Sequence, residues 1–273
     1  MMVKDQIIEL EVQWPEALQL SQDQRRRVWV WLPPDYHTSQ HVYPVLFMHD
    51  GQNVFRDQDA TYGTCWQMIQ TQLQLSEPMI VVAIEGQNDA AKRFNEFSPW
   101  PCPRLSYWKG QPGLEAGGLA DLYLEFLVNA IRPQVHRSFR CHSSAQHNYL
   151  GGSSMGGFVT LFAATRYEQA FSKYMAMSTA TWFAHDELLG ALTAHKFSPS
   201  TAIYVDVGTQ ETSNALLSEF PQVYLQGNIA LFELLQATLA PSHCFSHIAD
   251  DAVHNEAAWA LRLLPALQWL SEK

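Results

Sequence analysis

Apolar residues run without interruption through Pro44-Val45-Leu46-Phe47-Met48 and Met79-Ile80-Val81-Val82-Ala83-Ile84. Runs of that length without polar alternation predict strands buried on both faces, as in a parallel sheet covered by helices. Ile7 to Trp14 and Val28 to Leu32 read as opening strands, Tyr149-Leu150 as a short one, and Tyr174 to Met177 and Ala202 to Val207 as later ones. Elsewhere the period lengthens. From Leu119, the apolar positions Leu122, Tyr123, Phe126, Leu127, Ala130 and Ile131 form a helical stripe that Pro133 is expected to end, because proline removes a backbone donor. A further helix is predicted from about Met155 to Tyr167, and a last one carries Trp259, Leu263 and Leu267. Strands and helices alternate with no internal repeat or linker. This pattern predicts one α/β domain over residues 1–273, with a mostly parallel central sheet, helices on both faces and no separate large cap domain.

Residues 86–118 break the alternation. They are longer than an ordinary loop and hold Phe94, Phe97, Trp100, Tyr107 and Trp108, so they either pack as a flap over the sheet or line a cleft at the strand ends.

Composition narrows the partners. At 47% apolar and 16% charged the chain builds a sizeable core, and a net charge of -10 repels nucleic-acid phosphates and anionic lipid. Arg25-Arg26-Arg27 is the one basic cluster, and it reads as a solvated lead-in to the strand after it. Met1 to Gln6 lacks the apolar core of an export signal, and no later segment approaches the roughly 20 apolar residues that span a bilayer. The expectation is a soluble cytoplasmic protein that binds neither nucleic acid nor membrane; a homo-oligomer stays open. Cys65, Cys102, Cys141 and Cys244 lie far apart, without zinc-like spacing, and read as reduced thiols.

Candidate chemistry centres on Gly151-Gly152-Ser153-Ser154-Met155-Gly156-Gly157-Phe158. Only Ser154 has glycine two residues away on both sides, so the register of G-x-S-x-G selects it over Ser153. In that motif a sharp strand-to-helix turn strains the nucleophile's backbone and leaves no room for flanking side chains. The helix that follows would present its first free amide, that of Met155, to a developing oxyanion.

A serine hydroxyl needs a base. In α/β hydrolases the chain order is nucleophile, acid, base, which confines the base to downstream histidines. His185 and His195 come before any plausible acid, and His243 and His247 lie in or beside the strand-like Cys244 to Ile248. His254 stands in a polar loop before the last helix and is preferred. For the acid, Glu211 lies beyond the strand ending at Val207, whereas Asp206 is within it; Glu211 is preferred, Asp206 is the alternative, and Asp250 and Asp251 are too close in sequence to His254. The loop after Met48 reads His49-Asp50-Gly51-Gln52-Asn53 and would supply a second oxyanion amide, that of Gln52.

Several segments together resemble the putative esterase family of α/β hydrolases, which includes esterase D, enterochelin esterases and feruloyl esterases. They are Leu32-Pro33-Pro34-Asp35-Tyr36, Asp50-Gly51-Gln52-Asn53-Val54-Phe55, Arg93 with Glu96-Phe97-Ser98-Pro99, Gly152-Ser153-Ser154-Met155-Gly156-Gly157 and His254-Asn255-Glu256-Ala257-Ala258-Trp259. The resemblance implies the α/β-hydrolase fold, Ser154 as nucleophile, His254 as base, Glu211 as acid, and the Gln52 and Met155 amides as the oxyanion hole. It implies no metal and no organic cofactor. The expected activity is hydrolysis of small-molecule carboxylic esters, such as acylated sugars or phenolic esters, through an acyl-enzyme. A siderophore trilactone, transfer to an acceptor other than water, and a catalytically silent binding protein are the rival readings.

Overall fold

The computed structural model describes residues 7–14 and 25–273 and places eight strands in one sheet. They are β1 (Ile7–Gln13), β2 (Arg25–Trp31), β3 (Val45–Met48), β4 (Ile80–Ile84), β5 (Asn148–Ser153), β6 (Lys173–Met177), β7 (Ala202–Gln210) and β8 (Cys244–Val253). Their spatial order is β1-β2-β4-β3-β5-β6-β7-β8. β1 and β2 run antiparallel at one edge, and every pair from β4 to β8 is parallel. This is the α/β-hydrolase fold. The reading of Met1 to Gln6 lies outside the described residues.

Every residue of β3 and β4 is buried, as their unbroken apolar runs predict. Alternation then divides them between two cores. Val45 and Phe47 with Val82 join the core on one face, while Leu46 and Met48 with Val81 join the core on the other. The nine α-helical segments among the described residues are α1 (Met68–Gln72), α2 (Ala90–Phe97), α3 (Leu105–Lys109), α4 (Ala120–Phe126), α5 (Arg132–Ser138), α6 (Met155–Ala164), α7 (His185–Ala194), α8 (Phe220–Thr238) and α9 (Glu256–Ser271). Phe126, Phe158, Leu188 and Leu231 bring α4, α6, α7 and α8 to the first core; Met68, Leu263 and Leu267 bring α1 and α9 to the second.

Three local readings change. Pro133 does not end its helix. A π-turn over Leu127–Ile131 lets the Arg132 N–H bond to the Leu127 carbonyl, and Pro133 falls in the first turn of α5, where an intrahelical donor is not needed. Residues 86–118 contain α2 and α3, with Asp89 capping α2 by accepting from the Lys92 N–H at 2.9 Å. Their rings are mostly structural: Phe97, Trp108 and Phe94 are buried in the first core, and Trp100 packs against it. Finally, α8 carries the buried stripe Phe220, Tyr224, Leu231 and Leu235 at helical spacing.

Arg25-Arg26-Arg27 is also more than a solvated lead-in. Because β2 alternates, Arg25 and Arg27 point outward while Arg26 points inward and is 4% exposed. Arg26 Nη2 and Nη1 bond both oxygens of Glu96 at 2.7 and 3.0 Å, and Nη1 also donates to the Glu85 carbonyl at 2.9 Å. Glu96 belongs to α2, so this pair fixes the 86–118 flap to the sheet. Removing one partner leaves a buried charge unanswered, whereas removing both does not. Arg26→Met is therefore expected to destabilise the protein by about 3–5 kcal/mol, and Arg26→Met with Glu96→Leu to recover most of that loss. Urea unfolding of both variants checks this; equal losses would mean that the pair does not anchor the flap.

Candidate active site

β5 ends at Ser153, α6 begins at Met155, and Ser154 between them has φ 56 and ψ -120. A non-glycine residue holds such a conformation only when its surroundings fix it. Here the Ser154 N–H donates to the Met177 carbonyl at 2.9 Å, and its carbonyl accepts from Ala180 N–H at 3.1 Å and Phe158 N–H at 3.0 Å. The end of β6 and the first turn of α6 thus clamp the serine on both sides. The glycine requirement is uneven. A Cβ on Gly152 would lie 3.0 Å from the Gly156 backbone, whereas one on Gly156 would first meet His49 Cβ at 3.4 Å, an ordinary contact.

Glu211 follows the last residue of β7 and is completely buried. Its Oε2 takes the His254 Nδ1–H in a short hydrogen bond, and its Oε1 accepts from the Ser178 hydroxyl and from the Gly208 N–H at 2.9 Å. Burial pushes the Glu211 pKa up, but the hydrogen bond and charge of His254, with the Ser178 and Gly208 donors, outweigh it, and the net shift is downward. The group stays a carboxylate at neutral pH. His254 directly follows β8, which extends to Val253, five residues beyond the Ile248 suggested by the apolar pattern. Its Nε2 meets one partner, the Tyr224 hydroxyl at 3.4 Å, and no hydrogen bond joins it to Ser154. Both residues line one cavity of about 600 Å³.

Asp206, the alternative acid, is engaged elsewhere. Arg262 in α9 donates to it through Nε at 2.9 Å and Nη2 at 3.3 Å, and the same Nη2 donates to Ser178 Oγ at 3.0 Å. Burial raises the Asp206 pKa despite Arg262. Asp250 and Asp251 lie exposed on β8.

The third element is the loop after β3. Gly51, Gln52 and Asn53 form one 3-10 turn, entered by Asp50 in the left-handed region at φ 53. A Cβ on Gly51 would stand 2.5 Å from the Ala83 carbonyl carbon, so only glycine lets the turn lie against the end of β4. Arg93 of α2 grips Asp50 through Nε at 2.7 Å and Nη2 at 2.6 Å, and the Gln52 side chain accepts the Gly86 N–H at 2.9 Å. Among the described residues the backbone N–H groups of Gln52 and Met155 have no hydrogen-bond acceptor. All five residues singled out by sequence thus lie in or at the edge of one region. Tyr224, Ser178 and Arg262 were missed, and Arg93 was noted without its hold on Asp50, because each contacts the site from an element distant in sequence. Phe94 is the ring of the flap that reaches the cavity.

Fold and cavity together place the chain among the α/β hydrolases. More narrowly, it belongs to the putative esterase family, whose sequence model matches residues 21–270, and it is a carboxylic ester hydrolase. It is 26% identical over 257 residues to an uncharacterised Bacillus subtilis protein, YbbA, covering 91% of this chain and 93% of that one. Over 155 residues it is 28% identical to a siderophore triacetylfusarinine C esterase of Aspergillus fumigatus, covering 55% of this chain and 48% of the esterase. An IroE-like serine hydrolase from Shewanella oneidensis superposes with a TM-score of 0.71 at 21% identity, over 96% of this chain and 79% of the other.

His49 sits directly before the loop and behind the turn of α6. It is 2% exposed, its Nδ1 meets the Tyr123 hydroxyl at 2.7 Å, and its buried Nε2 has no partner. Burial lowers its pKa to about 3, with Asp50 opposing and Arg93 adding to the shift. Since the folded value is below the unfolded one, the unfolded chain takes up the proton first as pH falls. The stability held by neutral His49 is therefore complete above about pH 6.5 and is lost as pH drops towards 3. Between pH 7 and 5 the wild type is expected to lose about 2 kcal/mol more than His49→Gln. Denaturation at the two pH values measures this, and parallel losses would show that His49 titrates normally.

Proposed function

We propose that the chain hydrolyses small-molecule carboxylic esters through an acyl-enzyme on Ser154, with His254 as base and Glu211 as its acid. The observation that carries this reading is the buried Glu211–His254 pair opening onto the cavity that Ser154 shares. Ser154 Oγ attacks the ester carbonyl carbon while His254 Nε2 takes its proton. The bond to Tyr224 at 3.4 Å is long enough to leave that nitrogen available to the serine. Glu211, already ionised, fixes the Nδ1–H tautomer and stabilises the imidazolium. The Gln52 and Met155 amides receive the oxyanion, an arrangement in which one donor is worth about 10²–10³ in rate. His254 then passes its proton to the departing alcohol, and water repeats the sequence on the acyl-enzyme.

The cavity of about 600 Å³ lies within the usual range for small-molecule sites, roughly 300–1,000 Å³. Phe94, Trp182 and Tyr62 offer ring faces, and Gln87, Asn88 and Asn214 offer amides. That lining suits acylated sugars or phenolic esters. A siderophore ester is the second reading, favoured by the likeness to the Aspergillus fumigatus esterase. The four described cysteines are all free, which fits a reducing compartment, and the cytoplasm is the proposed setting.

A fluorophosphonate probe is expected to label Ser154, and Ser154→Ala to abolish turnover across nitrophenyl, acetyl-sugar, feruloyl and trilactone esters. Labelling elsewhere, or full activity in the alanine variant, would sink the assignment. Glu211→Gln should lower kcat about 10³–10⁴-fold by losing the imidazolium's partner. Asp206→Asn should act chiefly on unfolding, because its partner is Arg262. The reverse pattern would exchange the two roles.

A further inference from the structure

Of the two cations that line the cavity, Arg93 is paired with a carboxylate and Lys109 is not. Lys109, the last residue of α3, lines the cavity; its Nζ donates to the Ser213 carbonyl at 3.4 Å and lies 5.6 Å from the centre of the Phe94 ring. Among the described residues no carboxylate pairs with it. Arg93, on the same lining, commits Nε and Nη2 to Asp50 and leaves Nη1 without a hydrogen bond. Glu256, another carboxylate on the lining, accepts instead from the Asn53 side chain at 3.1 Å.

Of the two lining carboxylates only Asp50 pairs with a cation, and that cation is Arg93. Burial, and after it the Arg93 charge, lower the Lys109 pKa, the mark of an ammonium that has lost water without gaining a counter-ion. In a protein of net charge -10 the general field does not require positive groups at this spot. A carboxylate brought in by a ligand would supply what is missing: a short, charge-assisted hydrogen bond to Nζ in a partly desolvated site.

We propose that Lys109, backed by the free Nη1 of Arg93, is an anion subsite of the ester cavity, and that the substrate is an ester carrying a carboxylate. The proposal rests on the esterase reading of Ser154 and adds a substrate class to it. A fixed cation beside a fixed nucleophile also selects the separation between carboxylate and ester, so one chain length should be preferred.

The test compares nitrophenyl hemiesters of succinic, glutaric and adipic acid with neutral nitrophenyl esters of matched length. In the wild type the best hemiester is expected to exceed its neutral partner at least tenfold in kcat/KM, less so at high salt. In Lys109→Gln that ratio should fall about tenfold, chiefly through KM, and Lys109→Arg should retain most of it. The arginine variant separates loss of charge from loss of structure. A ratio that does not move in Lys109→Gln, or the absence of any hemiester preference, overturns the subsite while neutral-ester turnover and Ser154 labelling leave the esterase reading standing. If neither ester is turned over and Ser154 is not labelled, the esterase reading falls instead. Calorimetric binding of monoethyl glutarate then decides the subsite: weaker binding to Lys109→Gln than to the wild type supports it, and equal binding rejects it.

Discussion

Asp206 within β7 and Glu211 just after it have no exposure to water, and a single guanidinium, that of Arg262, reaches toward both. Burying a carboxylate costs several kcal/mol unless bonds replace its water, so two side by side constrain everything around them. Arg262 answers Asp206 directly and Glu211 at 3.7 Å, with Ser178 between them accepting from Arg262 and Trp259 and donating to Glu211. This leaves Glu211 one oxygen for His254. The arrangement holds only if α9 lies where it does, because Arg262 and Trp259 are both on it. The cluster therefore joins the last helix to the strand ends and fixes the tilt of the imidazole in the same set of bonds.

Ser178 links that cluster to the serine. Its backbone is itself left-handed at φ 48, with its N–H donating to the Asp206 carbonyl at 2.8 Å, and it directly follows Met177, whose carbonyl holds the Ser154 N–H. Two strained residues at the ends of adjacent strands are thus each braced by the next strand along, Ser154 by β6 and Ser178 by β7. Strain of about 1–3 kcal/mol at each such position persists only where the framework over-determines it. Here the framework is the parallel register of β5, β6 and β7, which brings the three strand ends to one edge.

Legibility in the sequence followed the range of the interactions. β3 and β4 were readable because a strand buried on both faces has nowhere to place a polar side chain. Ser154 was readable because the steric demand of its turn falls two residues away, on Gly152. His254 and Glu211 followed from chain order, Glu211 also from its place beyond a strand and His254 from its place before the last helix. What escaped was set by pairing across the fold. Arg26 reads as one of three surface arginines until Glu96, 70 residues on, is brought beneath it. Glu211 could be preferred over Asp206 from its place beyond the strand, but that Arg262 occupies Asp206 could not be read, because Arg262 lies 56 residues further on. The extent of β8 was hidden because its exposed edge carries Asp250 and Asp251, which look like loop residues.

The flap of residues 86–118 shows why chemistry and specificity can be supplied by different parts of such a molecule. Its inner side is committed: Phe97 and Trp108 fill the core, Glu96 meets Arg26, and Arg93 holds the loop after β3 through Asp50. Those contacts tolerate little change, because each leaves a buried ring or charge without its partner. The side facing the cavity is not so bound. Lys109 extends over the site from α3 without touching the Glu211–His254 pair, so a change there alters what enters while the strand ends keep their geometry. A segment rigid on one face and free to vary on the other is where relatives sharing this sheet can differ in substrate.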